Sequence, residues 1–374
     1  MRWYDESIPV EGEPVQVWQL TSAPVISHDI YCEEVYASSD GGRIAFVRSY
    51  YPSDRPSEVW VCDLSSMRVA RMGEVASEFL ATNPLIDAVY YMRPDERGHR
   101  LMRLDLKTLE QEEVFAFVDC PPPRVGTVPP DERYFVGGPL RVRGNVYALY
   151  KVDLERGTWE VFHEHEDIFN PHVQFDPGGS GDLLVQLNRG GILDEEGNIV
   201  RLIGEEGATL YVVDMDGKDV KPLPVGRPYT EKVTGHECWI GESGRVLLTT
   251  ADGGVYSVAP GDEEARLLAR MEGFSHISAS ADGRYFVVDN MRTGRLYVGS
   301  ISTGKVAFLC ESRASCGRPQ YTHPHPYITP DNRYVVFNSD RTGICQVYAA
   351  ALPVGTVEDL LEGLGREQGC SPPG

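Results

Sequence analysis

The 374-residue sequence lacks any run of eighteen apolar residues, so no segment is long and apolar enough to cross a bilayer as a helix. The N-terminus, MRWYDESIPVEGEPVQ, has no basic stretch leading into an apolar one, and with that it lacks the mark of a secretory signal. Eight cysteines stand singly, with no CxxC pair. That argues against a disulfide framework and for reduced thiols in a cytoplasmic protein. Positive charge is scarce: 35 Lys and Arg face 56 Asp and Glu, a formal charge of −21. Phosphate backbones want a basic face, so nucleic acid is not an expected partner. GxSxG, P-loop and HExxH patterns are missing too, which removes the common hydrolase and nucleotide-binding chemistries. Helical periodicity is almost absent before VEDLLEGL at 357–364.

What the sequence does contain is turns and short strands. Gly (38) and Pro (26) punctuate brief runs of Val, Tyr, Phe and Leu, the pattern of an all-β chain. The runs repeat. SASADGRYFVVDNMRTGRLYVGSI (278–301) and YITPDNRYVVFNSDRTGICQVYAAAL (327–352) share one plan of turn, apolar strand, TG turn, apolar strand. Residues 36–64 follow it with a longer middle turn, and weaker copies lie at 86–106, 128–154, 175–217 and 240–260. Seven units of this size predict a seven-bladed β-propeller with four-stranded blades around a central channel. One domain is expected over 1–374, with blades near 31–64, 79–106, 125–154, 168–217, 234–260, 274–301 and 320–352. VQVWQLT (15–21) is placed to complete the last blade, and the polar insertion ILDEEGNIVRLIGEEG (192–207) lengthens the fourth.

The histidines keep step with the repeat. His172, His236, His276 and His325 lie six residues before Gly178, Glu242, Asp282 and Asp331, the matching turn positions of four consecutive blades. Each would open an innermost strand, and equivalent positions in a propeller sit at one height around the channel. His323, two residues before His325, would project from the same side of a strand, and Gln320 offers an amide oxygen. The set His276, Gln320, His323 and His325 is therefore a candidate divalent-metal site, with ligands that suit Mn, Fe, Zn or Ni. His172 standing alone reads equally well as a structural residue.

Several stretches resemble a known family. QYTHPHPYITPDNRYVVFNSDRTGICQVY (320–348), TGHECW (234–239), FSHISASADG (274–283) and, more loosely, LTSAPVISHDIYCEEVYASSDGGRIAF (20–46) are similar to segments of the oligogalacturonate lyases, polysaccharide lyase family 22. The resemblance implies a seven-bladed propeller holding Mn²⁺ through His276, Gln320, His323 and His325, with His236 as the catalytic base. It also implies an acidic oligosaccharide substrate. At one position the sequence departs: the family's arginine before its blade-four "DG" turn is replaced by Thr209 in TLYVVDMDG, and LNRGG (187–191) differs nearby.

The implied chemistry is β-elimination. A uronate loses its C5 proton and its C4 glycosidic oxygen, a cation on the carboxylate stabilises the developing charge, and a neutral imidazole takes the proton. Such a cation would also let a chain at −21 bind an acidic sugar. His172, Arg189, Tyr321 and Arg341 are further candidates for holding substrate. Arg189 would restore the positive charge missing at Thr209. Two alternatives stand beside the lyase: a non-catalytic propeller that binds a partner, and a metal-dependent enzyme acting on a different uronide. Oligomeric state is not legible in the sequence.

Overall fold

A computed structural model describes residues 1–50, 55–77, 80–194, 198–352, 357, 358 and 361. The chain is nearly all β, and its sheets follow one another in sequence as the seven blades of a propeller. Four blades have four strands: the third (Val125–Thr127, Tyr134–Arg143, Val146–Asp153, Thr158–Glu166), fourth, fifth and sixth. The fifth runs Val233–Trp239, Val246–Thr250, Gly254–Val258 and Arg266–Arg270, and the sixth Phe274–Ala279, Tyr285–Asn290, Arg295–Ser300 and Val306–Glu311. In the second blade, three named strands (Ala88–Asp95, Gly98–Asp105, Gln111–Phe117) are joined on the channel side by the isolated bridge Ala81–Tyr90. The fourth has four strands and carries a separate hairpin, Ile192–Leu193 with Ile199–Arg201, inside the 192–207 insertion.

The first and last blades each gain a strand from the N-terminal segment. Trp3–Asp5 adds to the outer strand Arg68–Val75 of the first blade, and Val17–Gln19 pairs with Gln346–Ala351 of the last, with Ile8–Val10 beyond it. Against the expected blade spans, the structure adds an outer strand in six blades: Arg68–Val75, Gln111–Phe117, Thr158–Glu166, Val220–Pro222, Arg266–Arg270 and Val306–Glu311 all begin past the expected ends. These strands have one solvated face and mixed composition, as in TWEVFHEHE, so the apolar alternation that marks the inner strands is weak there. Of VEDLLEGL, Val357, Glu358 and Leu361 are helical and the rest lies outside the described residues.

The repeated turn has a physical basis. In ADGRY, Asp282 accepts from Arg284 N at 3.0 Å and from Ser280 Oγ at 2.6 Å. In PDNRY, Asp331 accepts from Arg333 N at 3.1 Å and from Thr329 Oγ1 at 2.7 Å. The following residue, Gly283 or Asn332, takes φ of +68° or +58°, a conformation that glycine and asparagine tolerate. Cores form between neighbouring blades: Phe46, Val59 and Val61 of the first pack with Val336, Val347 and Ala349 of the last. No blade buries its faces alone.

Candidate active site

Four inner strands bring histidine to the channel. His236 lies within Val233–Trp239 and His276 within Phe274–Ala279. His172 and His325 each stand two residues before a short inner strand, Gln174–Phe175 and Tyr327–Ile328, with φ of +46° and +42°. The shared left-handed backbone, which histidine adopts more readily than bulky residues, turns both rings toward the axis. His323 does not sit on a strand as the i, i+2 argument required. It caps a single 3-10 turn, Gln320–Thr322, with φ −87° and ψ 149°. The two rings meet through this turn rather than through β alternation.

One ligating atom from each of His276, His323 and His325 falls within 4.8 Å of the others, near the roughly 4 Å spread of ligands about 2.1 Å from a shared ion. Their ring centroids are 4.4 Å (276–325), 5.2 Å (276–323) and 5.6 Å (323–325) apart. His276 is tied down by Asp289, whose Oδ2 lies 2.6 Å from Nδ1 while Oδ1 accepts the His276 backbone N–H at 2.9 Å. That carboxylate fixes the tautomer with Nε2 as the free lone pair. His323 Nε2 faces the Gly317 carbonyl at 2.9 Å, leaving Nδ1 buried with no hydrogen-bond partner. Both ring nitrogens of His325, which is 2 % exposed, also lack one. Buried polar atoms are ordinarily satisfied, and a cation that accepts these lone pairs would satisfy them. The donor set fits a divalent metal. Gln320 is exposed on the 3-10 turn that His323 caps.

His236 stands beside this group, its ring centroid 4.2 Å from that of His276. Its Nδ1 is 3.2 Å from the Tyr31 hydroxyl. Burial first, then the charges of His276, His172 and His323, hold its pKa well below the usual histidine value, so the ring is neutral at neutral pH. Tyr31 comes from IYCEE (30–34), a segment of the first blade that enters the channel. Its ring is 4.6 Å from His325, 5.9 Å from His236 and 6.0 Å from His172. Sequence reading missed Tyr31 and Asp289. Asp289 carries a local signal, since it ends the strand paired with the one bearing His276; Tyr31 carries none.

The other candidates have different surroundings. His172 Nδ1 contacts Glu33 Oε1 and lies 3.8 Å from Glu237 Oε1, while Nε2 is 2.8 Å from Asn170 Nδ2. Arg189 is corrected to a structural role: it donates to the carbonyls of Gly207 (3.1 Å), Glu206 (3.0 Å) and Arg227 (3.2 Å), pinning the insertion to the loop after it. Arg341 is corrected likewise. It donates to the Glu311 and Ser312 carbonyls, approaches Glu13 Oε1 at 3.5 Å and lies over the Tyr348 ring. Thr209 gives its hydroxyl to the Val225 carbonyl at 2.7 Å. Tyr321 stacks on His28 with centroids 6.4 Å apart.

Comparison with known proteins agrees with this architecture. A scan against protein-family models matches none. An oligogalacturonate lyase of Dickeya dadantii (strain 3937) is 25% identical over 386 residues, covering 90% of this chain and 93% of the relative. An oligogalacturonide lyase of Pectobacterium atrosepticum is 26% identical over 392 residues, with the same coverage. The solved structure of an oligogalacturonate lyase in complex with manganese superposes with a TM-score of 0.72 at 22% identity, covering 94% of this chain and 97% of that one. In sequence over nine-tenths of its length and in its seven-bladed fold, the chain is oligogalacturonate lyase-like.

Proposed function

We propose that the chain is a metal-dependent lyase that cleaves short uronic-acid oligosaccharides of the oligogalacturonate kind by β-elimination. The observation that carries this reading is the buried imidazole of His236 beside three imidazoles that each bring one ring nitrogen within 4.8 Å of the others. The relatives named as oligogalacturonate and oligogalacturonide lyases, and the manganese complex among the solved structures, support it. His276, His323 and His325 would hold the ion, Mn²⁺ by preference, with Gln320 as a fourth ligand. When bound, the ion supplies a Lewis acid for the uronate carboxylate and the charge that develops beside it.

The chain's own residues do the rest. His236 takes the C5 proton through Nε2; as C4=C5 forms and C4–O4 breaks, the resulting imidazolium or a water returns a proton to the departing oxygen. The His236 Nδ1–H donates to Tyr31, which holds that tautomer and keeps the basic nitrogen toward the channel. Asp289 keeps the His276 ring in its ligating orientation.

The test is a purified, metal-stripped protein assayed for the ultraviolet absorbance of unsaturated uronide from galacturonate dimers and trimers. Activity should appear on adding Mn²⁺ and vanish with chelator. A metal-loaded protein inert on every uronide tested would sink the reading. A second reading, a lyase for a different uronide, draws on Thr209 and Arg189: the threonine hydroxyl is given to the Val225 carbonyl, and three of the five guanidinium N–H groups are given to carbonyls rather than to the channel. Faster turnover of another uronide than of galacturonate would select it.

A further inference from the structure

A second group of metal-type ligands lies in the channel and takes no part in the trihistidine group. One atom from each of Glu33, His172 and Glu237 falls within 4.8 Å of the other two. The three come from separate parts of the ring: the IYCEE segment, the loop that opens the fourth blade, and the inner strand of the fifth. The Tyr31 ring stands between this group and His325, 6.0 Å from His172 and 4.6 Å from His325.

Glu237 makes the case more than a cluster of acids. It is 0 % exposed, and neither carboxylate oxygen has a hydrogen-bond partner among the described residues. The facing group able to carry positive charge is His172, 3.8 Å from Oε1. A buried carboxylate without hydrogen bonds or a counter-ion is strongly unfavourable, and a second carboxylate, Glu33, adds repulsion. One imidazolium would offset only one of the two negative charges. A divalent cation would offset both and accept every free lone pair.

We infer that Glu33, His172 and Glu237 form a second divalent-cation site, of the hard oxygen-rich type that takes Mn²⁺ or Ca²⁺. Two carboxylates and one imidazole suit such ions better than soft metals. The Asn170 side-chain amide lies 2.8 Å from His172 Nε2. With its oxygen turned to accept Nε2–H, Nδ1 is the ligating nitrogen, an orientation that places the lone pair on the side of both glutamates. A cation here would set positive charge opposite the first ion, across Tyr31, where a chain of acidic sugars needs it.

The test counts ions and uses no substrate, so its outcome is separate from that of the lyase reading. Metal-stripped full-length protein is titrated with Mn²⁺, and in parallel with Ca²⁺, by calorimetry and by dialysis with elemental analysis. Wild type should bind two Mn²⁺ per chain. Glu237→Gln and Glu33→Gln should each retain one, with at least a tenfold loss of affinity at the other. His276→Ala should also retain one, and that one should disappear when Glu33→Gln is added. Glu33→Gln, at a partly exposed position, serves if Glu237→Gln does not fold. A wild-type ion count that neither Glu33→Gln nor Glu237→Gln lowers overturns the inference.

Discussion

At the scale of single residues, the central pair is His236 and Asp289, which act on different things. His236→Gln should lower turnover by about 10²- to 10⁴-fold, the ordinary worth of a general base, while Mn²⁺ affinity measured by calorimetry stays within a few-fold. Asp289→Asn should do the reverse. Its loss of hold on His276 should weaken Mn²⁺ binding about 10- to 100-fold, with activity recovered at high Mn²⁺. The pH profile follows from the direction of the His236 shift. A base whose pKa is depressed by burial and neighbouring positive charge stays neutral as pH falls through the ordinary histidine value near about 6.5. The acid limb of kcat/KM should therefore lie below that value; a limb centred at or above it would show that another group is the base. Much of this site is readable from spacing, because the six-residue step between histidine and turn survives in four blades. The remainder is not, since Tyr31 and Glu33 reach the channel from a segment with no counterpart in the other repeats. Charge alone also misled: Arg189 and Arg341 are cations whose donors are turned toward backbone carbonyls.

Single elements show where local stability resides. The strand Ser57–Asp63 of the first blade places Glu58 at the centre of a polar knot, 1 % exposed, accepting from Tyr50 Oη at 2.6 Å, Trp60 Nε1 at 3.0 Å and both Arg55 and Arg71 at 2.7 Å. Burial alone would raise its pKa, but the hydrogen bonds from Tyr50, Arg71, Arg55 and Trp60 outweigh it and bring the carboxyl down to about 2. A folded-state pKa below the unfolded one means that this contribution to stability is complete above about pH 4.3 and disappears as pH falls toward 2. Glu58→Ala, which leaves the arginines and the tyrosine without their acceptor, should destabilise the protein by about 3 kcal/mol at neutral pH. The gap between the two melting temperatures should narrow in acid. Outer strands such as Gln111–Phe117 were harder to foresee than this one, because exposure breaks up the continuous apolar run that a buried strand such as SEVWVCD displays.

For the whole molecule, the ring is closed by pairing across the full length of the chain. Val17, 0 % exposed, packs among Val335, Phe337 and Ala350 of the last blade, and its strand pairs Val17 with Ala350 and Gln19 with Tyr348. Val17→Asp should therefore cost about 3 kcal/mol or more and lower the melting temperature of the whole ring rather than fray one edge. A small local loss of hydrogen-exchange protection with an unchanged melting temperature would argue that closure matters little.

That same pairing has a consequence during synthesis. Val17–Gln19 leaves the ribosome long before its partner at Gln346–Ala351 is translated. Throughout that interval an apolar strand with open N–H and C=O groups must wait for its mate. It is the natural hold for a chaperone, and the stretch from which a slowly translated nascent chain would begin to aggregate.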